Sequence, residues 1–246
     1  MPTLADTITT PDGSCSVTLA TPEDSGPWPG VVMYPDAGGP RAAFTDMAQR
    51  LADEGFAVLV PDVYYRNAPW APFDLNTAFS DPDERKRVMT MMSSVTPDKM
   101  ATDAAAFFDY LTSRPEVSGE KFGTTGYCMG GRTSLIVAGL VPDRVGAAMS
   151  FHGGGLASDD PGSPHLLADT MRAPVYVAGA ENDASFSTEA AETLDKALTA
   201  ADVEHTIVFY PAAHGFAVSD HNAVYDEAAA ARHWAAMKDF FTAHLT

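Results

Sequence analysis

The chain has 246 residues, of which 46% are hydrophobic and 20% are charged. This composition predicts a soluble globular protein, because disordered chains contain fewer apolar residues and a membrane helix needs a long apolar run. The formal net charge of −18 disfavours binding to nucleic acid or to anionic membranes, since both carry negative charge. The opening MPTLADTITTPDG has neither the positive start nor the apolar stretch of a signal peptide, which predicts a cytoplasmic protein.

Short apolar runs alternate with longer amphipathic segments along the chain, a pattern typical of a mostly parallel sheet with helices on both faces. We therefore predict a single α/β domain over residues 1–246. Strands are expected in a hairpin around Pro11-Asp12-Gly13 and at 31–34, 56–60, 121–125, 145–150, 175–178 and 206–210. Helices are expected at 42–54, 102–114, 132–140, 188–200 and about 223–244.

Residues 64–99 differ from the rest of the chain. The run YYRNAPWAPFDLNTAF is aromatic and interrupted by prolines, and the following DPDERKRVMTMM has a helical composition. A long insertion in a compact domain is often a lid or the wall of a pocket. We expect residues 64–99 to serve in one of these ways.

One of the two cysteines lies in a glycine-flanked turn. Neither Cys15 nor Cys128 has the CxxC or Cys/His spacing of a metal site, so we expect free thiols and no metal. Cys128 lies in GYCMGG, between a predicted strand and a predicted helix, where hydrolases place a nucleophile between two glycines. The start of a helix favours the thiolate, so Cys128 is interpreted as a nucleophile, with an inert buried thiol as the alternative.

A nucleophile in this turn needs an acid and a base, which follow it in the chain in that order. Asp183 and Glu181 lie in GAENDASF after one predicted strand, and His214 lies in PAAHGF after the next. His152, in SFHGGG, also follows a strand, but it precedes both acids. We therefore predict His214 as the base, with Asp183 or Glu181 as the acid.

The loop PDAGGPR, residues 35–41, follows the first central strand. Hydrolases of this type place the second donor of the oxyanion hole in this loop, and the first donor directly after the nucleophile. The backbone N–H groups of Ala37 and Met129 are therefore the predicted oxyanion donors.

These motifs together resemble the dienelactone hydrolase family of α/β hydrolases over nearly the whole chain. The resemblance is carried by PDVYYR, DPDERKR, GYCMGG, the acid in AGAEND, and YPAAHGFA. It implies an α/β-hydrolase fold and a catalytic triad of Cys128, His214 and Asp183, without a cofactor. It also implies that Asp36, one methylene shorter than the family's glutamate, contacts the thiol and modulates it.

The resemblance also bears on the substrate. The family type binds its substrate's carboxylate with two arginines; the first position is Arg87 in this sequence, and the second is Val218, which cannot pair with an anion. Val218 and the aromatic stretch from Tyr64 to Phe79 are expected to offer apolar contacts instead. A small uncharged ester or lactone is therefore the expected substrate.

The sequence as a whole predicts a hydrolase that cleaves a carboxylic ester or lactone through a thioester on Cys128. Two alternatives remain open: transfer of the acyl group to an acceptor other than water, and an oxidation-sensing role for Cys128 without catalysis. No nucleic-acid or membrane partner is expected, and the chain is expected to be a monomer or a small homo-oligomer.

Overall fold

The computed structural model describes residues 3–246. The strands are Thr3–Thr10 (β1), Gly13–Ala20 (β2), Trp28–Tyr34 (β3), Ala57–Pro61 (β4), Val117–Gly126 (β5), Val145–Phe151 (β6), Val175–Asn182 (β7) and His205–Ala213 (β8). They form one sheet in the order β1-β2-β4-β3-β5-β6-β7-β8. The predicted hairpin is the antiparallel pair β1–β2, β2 is antiparallel to β4, and all remaining pairs are parallel. The prediction of a mostly parallel sheet is confirmed.

Helices connect the parallel strands. They span Ala42–Ala52 (α1), Pro82–Ser94 (α2), Pro97–Ser113 (α3), Met129–Leu140 (α4), Thr188–Ala200 (α5) and Glu227–Leu245 (α6), with short 3₁₀ helices at Tyr65–Asn67 and Pro164–Thr170. Within residues 3–246, none of these helices combines the length and apolar character needed to cross a membrane.

Three helix starts differ from the predictions. Helix α3 begins at Pro97 rather than at residue 102, because proline is favoured in the first helical turn. Helix α4 begins directly after Cys128 rather than at residue 132, where Gly130 and Gly131 weaken the helical pattern of the sequence. Helix α6 begins at Glu227 rather than near residue 223, because the Asp226 side chain caps it.

Both faces of the sheet are covered by helices, as predicted. Alternate residues of β3 enter different cores: Val31 and Met33 pack on the face covered by α1 and α6, and Val32 packs on the face covered by α3, α4 and α5. This alternation follows from the two-residue period of a strand. The apolar content of the central strands therefore reflects burial on both sides.

The insertion at 64–99 packs its aromatic residues against each other. Tyr64 and Phe73 are buried, and Trp70 contacts both, with ring centroids 5.2 Å and 6.2 Å away. The segment DPDERKRVMTMM forms most of α2, which begins after Asp81; the carboxylate of Asp81 accepts hydrogen bonds from two N–H groups of the first turn. The insertion thus joins a packed aromatic cluster to a helical hairpin of α2 and α3.

The topology brings the candidate functional residues to one edge of the sheet. Parallel strands present their carboxyl ends on the same side, where α/β proteins bind ligands. The loops after β3, β5, β6, β7 and β8 carry, respectively, Asp36 and Ala37, Cys128, His152, Asp183, and His214.

Candidate active site

Cys128 occupies a strained turn between β5 and α4. Its backbone has φ 55° and ψ −115°, in the region that non-glycine residues seldom adopt. A Cβ atom on Gly126 would lie 2.1 Å from the carbonyl oxygen of Gly130, and one on Gly130 would lie 2.2 Å from the carbonyl oxygen of Tyr34. The two glycines are therefore required by close backbone contact with the helix and with the neighbouring strand.

His214 and Asp183 form a close pair beside this turn. The Nδ1 atom of His214 lies 2.6 Å from an Asp183 carboxylate oxygen, and that carboxylate is almost fully buried. The other Asp183 oxygen accepts hydrogen bonds from the backbone N–H and the hydroxyl of Ser185, at 2.8 Å and 2.6 Å. Burial alone would raise the pKa of Asp183, but the hydrogen bonds from His214 and Ser185 lower it below its ordinary value. Of the two predicted acids, Asp183 is the one paired with the histidine.

The protonation of His214 depends on both of its neighbours. Burial disfavours the charged imidazolium, but favourable interactions with Asp183 and with Cys128 outweigh burial and raise the pKa of His214 to about 10. An imidazolium at neutral pH stabilises a thiolate beside it. The three side chains can therefore hold the charge distribution of an activated nucleophile.

His152 packs against His214, but within residues 3–246 its ring nitrogens lack the hydrogen-bond partners that orient a general base. Its ring is fully buried, and neither ring nitrogen has a hydrogen-bond partner on any other described residue. Burial, followed by the nearby His214, lowers the pKa of His152 well below its ordinary value. The ring centroids of His152 and His214 are 5.2 Å apart in an edge-to-face arrangement. His152 thus packs on the histidine of the pair without contacting an acid.

The two predicted oxyanion donors both have free N–H groups. Met129 is the first residue of α4, so its N–H has no acceptor within the helix, and neither it nor the N–H of Ala37 has an acceptor among residues 3–246. The hydroxyl of Tyr64 donates a hydrogen bond of 3.0 Å to the carbonyl of Ala37 and lies 3.5 Å from the Met129 sulfur. Tyr64, predicted to contact substrate, is therefore placed where it fixes the peptide that follows Ala37.

The side chain of Asp36 is held in a buried network of charges. Arg41 donates to both Asp36 oxygens, at 2.7 Å and 2.9 Å, and to both oxygens of Asp220, at 2.6 Å and 2.9 Å. The backbone N–H of Gly38 and the Nε2 atom of His221 also lie 2.8 Å and 3.4 Å from Asp36. Arg41 thereby joins the loop that follows β3 to the segment after His214. The modulation of the Cys128 thiol by Asp36 stays a prediction.

Cys128 and His214 open onto a cavity of about 590 Å³. Its apolar lining comes mainly from the hairpin of α2 and α3 and from α4, including Met89, Met92, Val95, Met100 and Ile136. Besides His214, the cavity is lined by the charged residues Arg132 and Asp160, which pair with each other at 3.0 Å. We refer to this space as the catalytic cavity.

The other two predicted substrate contacts lie outside this lining. Val218 is fully buried in the core beneath α1 and α6. Arg87 pairs with Glu84 at 2.7 Å, donates to the carbonyl of Ala71 at 3.0 Å, and lies 3.8 Å above the ring of Phe73. Arg87 thus tethers α2 to the aromatic cluster of the insertion, and its role in substrate binding stays a prediction.

The model of the "Dienelactone hydrolase family" matches residues 15–245. The chain belongs to this family. That membership, with the fold described above, confirms the predicted α/β-hydrolase class and the predicted hydrolase. A relative from Synechocystis, named "Putative carboxymethylenebutenolidase", is 30% identical over 92% of this chain and 91% of its own length.

Solved structures of dienelactone hydrolase type have the same fold. One from Klebsiella pneumoniae, described as a "Putative Dienelactone Hydrolase", superposes with a TM-score of 0.82 at 26% identity, covering 98% of this chain and 99% of that one. A second, described as the "Dienelactone Hydrolase-like Promiscuous" phosphotriesterase P91, superposes with a TM-score of 0.76 at 27% identity and covers both chains in full.

Sequence reasoning missed two groups of residues around the site. Ser185 follows Asp183 by two positions, which is the spacing of an Asx turn, so a local signal was present. Arg41 and Asp220 are separated by 179 residues, and no sequence pattern links them. That ion pair becomes visible only in the folded structure, where the segment after β8 reaches the loop after β3 although three strands separate them.

Replacing Gly126 by alanine should destabilise the protein, because the new methyl group would overlap backbone atoms of the turn, which cannot move aside. We expect a loss of about 3 kcal/mol or more, seen as a lower thermal unfolding midpoint. Gly55→Ala is the matched control: Gly55 has φ +97° but no atom within 4 Å of the added Cβ, so only backbone strain of about 1–2 kcal/mol applies. Equal losses in the two variants would contradict a steric requirement at Gly126.

Replacing Arg41 by alanine should slow alkylation of Cys128 by iodoacetamide at neutral pH. The substitution leaves the Asp36 charge buried without its cation, and an unbalanced negative charge near the thiol opposes its ionisation. It should also lower the free energy of unfolding by about 3–5 kcal/mol. Alkylation of the folded variant is measured by mass spectrometry.

The double variant Arg41→Ala with Asp36→Asn should regain the wild-type alkylation rate, since it removes both charges. Arg144→Ala is the control, because Arg144 pairs with an exposed aspartate and should leave alkylation unchanged. If Arg41→Ala alkylates as fast as the wild type, Asp36 does not act on the thiol.

Proposed function

We propose that this chain hydrolyses a carboxylic ester or lactone through a thioester on Cys128. The observation that carries the proposal is the pairing of His214 with buried Asp183 at 2.6 Å, beside a cysteine held in the turn between β5 and α4. A nucleophile, a base and an orienting acid in this arrangement are the parts that acyl transfer requires.

In the first half of the reaction, the Cys128 sulfur attacks the carbonyl carbon of the ester, with its proton held by His214. The carbonyl oxygen becomes an oxyanion and accepts hydrogen bonds from the N–H groups of Ala37 and Met129. The carbon–oxygen bond then breaks, and the imidazolium of His214 gives its proton to the leaving alcohol. An acyl thioester on Cys128 and a neutral His214 remain.

In the second half, His214 takes a proton from water while the water oxygen attacks the thioester. The carbon–sulfur bond breaks, the carboxylic acid leaves, and Cys128 recovers the proton through His214. Asp183 holds the imidazole in one orientation and stabilises its charged form in both halves. Ser185, bonded to Asp183 through its hydroxyl and N–H, fixes the carboxylate.

The burial of Cys15 argues against a redox role for Cys128. Cys15 is fully buried, and its thiol donates to the backbone carbonyls of Ser16 and Asp62. Burial raises the pKa of Cys15 to about 12, so it supplies almost no thiolate at neutral pH. Hydrolysis therefore accounts for the reactive position of Cys128 better than disulfide exchange within the chain.

Alanine variants of the triad test the proposal. Cys128→Ala and His214→Ala should each lower kcat for p-nitrophenyl acetate by about 10⁴-fold or more, because triad members act as a unit. Iodoacetamide should inactivate the wild type, with the label found on Cys128 by mass spectrometry.

Two variants serve as controls for that experiment. Cys15→Ser should keep its activity and its sensitivity to iodoacetamide. His152→Ala should lose far less activity than His214→Ala, because His152 contacts no acid. Full activity in Cys128→Ala would overturn the proposal, and a larger loss in His152→Ala than in His214→Ala would overturn the choice of base.

The substrate is expected to be uncharged at the end that enters the catalytic cavity. Arg87 is occupied by Glu84, Ala71 and Phe73, and Val218 cannot pair with a carboxylate. A carboxylated lactone should therefore have a kcat/KM about tenfold or more below that of its methyl ester, since it lacks a charge-assisted contact.

The measurement compares both compounds in the wild type and in Arg87→Ala. We expect the ratio of the two kcat/KM values to be the same in both proteins. If the free acid is the better substrate and Arg87→Ala erases that advantage, the protein has the specificity of a dienelactone hydrolase.

A further inference from the structure

One wall of the catalytic cavity is formed by flexible apolar side chains that differ in exposure. Met89 on α2 is 51% exposed, whereas Met100 on α3 is 6% exposed and Ile136 on α4 is fully buried. Met92 and Val95 are half-buried and complete the wall. The lining therefore extends from solvent to a closed floor made by Met100 and Ile136.

The apolar wall lies in the part of the cavity that runs along α4. Met129, Arg132 and Ile136 line the cavity at spacings of three and four residues, so this lining follows one face of α4 away from Cys128. His214 and Ser185 line the cavity as well. Because His214 must protonate the leaving oxygen, the alcohol of an ester belongs beside His214. The acyl chain is then left with the lining along α4.

The charged groups of the cavity do not favour an acyl chain that carries a carboxylate. Arg132 donates to the carbonyls of Gly155 and Gly162, at 2.8 Å and 3.1 Å, as well as to Asp160. Its guanidinium is therefore committed to the loop that follows β6. An anionic chain end would also meet the carboxylate of Asp160. An aliphatic chain meets the methionine wall instead, and methionine adapts its shape to apolar partners.

We propose that the acyl group hydrolysed by this protein is a linear, uncharged aliphatic chain of medium length, bound along Met92 and Met100 with its end against Ile136. This inference rests on the proposed function, because it concerns the group carried on Cys128.

The test measures kcat/KM for the p-nitrophenyl esters of acetate, butyrate, hexanoate and octanoate. In the wild type, kcat/KM should rise by about fourfold for each methylene group buried, until the chain fills the cavity. A parallel series of acetate esters of longer alcohols should show no such rise. A flat profile over acyl length, or a rise over alcohol length only, would overturn the proposal.

Variants of the wall residues test whether these residues determine the dependence of kcat/KM on acyl chain length. Met100→Ala should move the preferred acyl group to a longer chain, and Met100→Trp should lower the ratio of kcat/KM for hexanoate to that for acetate at least tenfold. Met92→Ala, at a half-buried position that tolerates truncation, should lower kcat/KM for hexanoate more than for acetate. Unchanged chain-length profiles in the folded variants would contradict the assignment of the wall.

Met91→Ala is the matched control. Met91 is a buried methionine on α2 that packs in the core, and it is not part of the cavity lining. It should lower stability without changing the profile. Cys128→Ala separates this inference from the proposed function: if it abolishes turnover of every ester and the wild-type profile is flat, only the inference fails. If it keeps turnover, the thioester mechanism itself fails.

Discussion

The close approach of backbone at the turn between β5 and α4 is the constraint on which the site depends. A Cβ atom at Gly126 or Gly130 would stand 2.1 Å or 2.2 Å from a carbonyl oxygen, so the first turn of α4 packs directly on the carboxyl ends of the central strands. That contact holds Cys128 at φ 55° and leaves the N–H of Met129 without an acceptor. The positions of the proposed nucleophile, Cys128, and of the proposed oxyanion donor, Met129, thus follow from one packing contact.

A second constraint joins loops that are far apart in sequence. The guanidinium of Arg41, 11% exposed, is shared between Asp36, which is fully buried, and Asp220. A buried charge without a partner would cost several kcal/mol, so the three groups retain their arrangement together. Asp36 directly precedes Ala37 in the loop after β3, and Asp220 lies six residues after His214. The same ion pairs therefore hold the loop that carries Ala37 against the segment that follows His214.

Sequence alone predicted the parallel sheet, the glycine-flanked turn and the pairing of His214 with an acid after β7, because each has a local signature. The residue pattern left Asp183 and Glu181 open as the acid, and only the resemblance to the family selected Asp183; in the structure Glu181 belongs to β7 and Asp183 follows it. Sequence reasoning missed Arg41 and Asp220, because a contact across 179 residues leaves no periodicity. The substrate role that the family motif implies for Arg87 stays a prediction, and the aromatic contact of that side chain in the insertion had no signal in the sequence.

The structural contacts of two arginines bear on the proposed preference for an uncharged substrate. Arg87 and Arg132 both make structural contacts. Arg87 joins α2 to Phe73 and Ala71. Arg132 binds the loop after β6 through two backbone carbonyls and Asp160. A cation committed in this way gains little from a substrate carboxylate, because binding the anion would require breaking contacts already made. The insertion that holds Arg87 also supplies Met92 to the cavity, and Met100 comes from α3, which follows it. The insertion therefore both engages Arg87 in structural contacts and contributes apolar surface to the cavity.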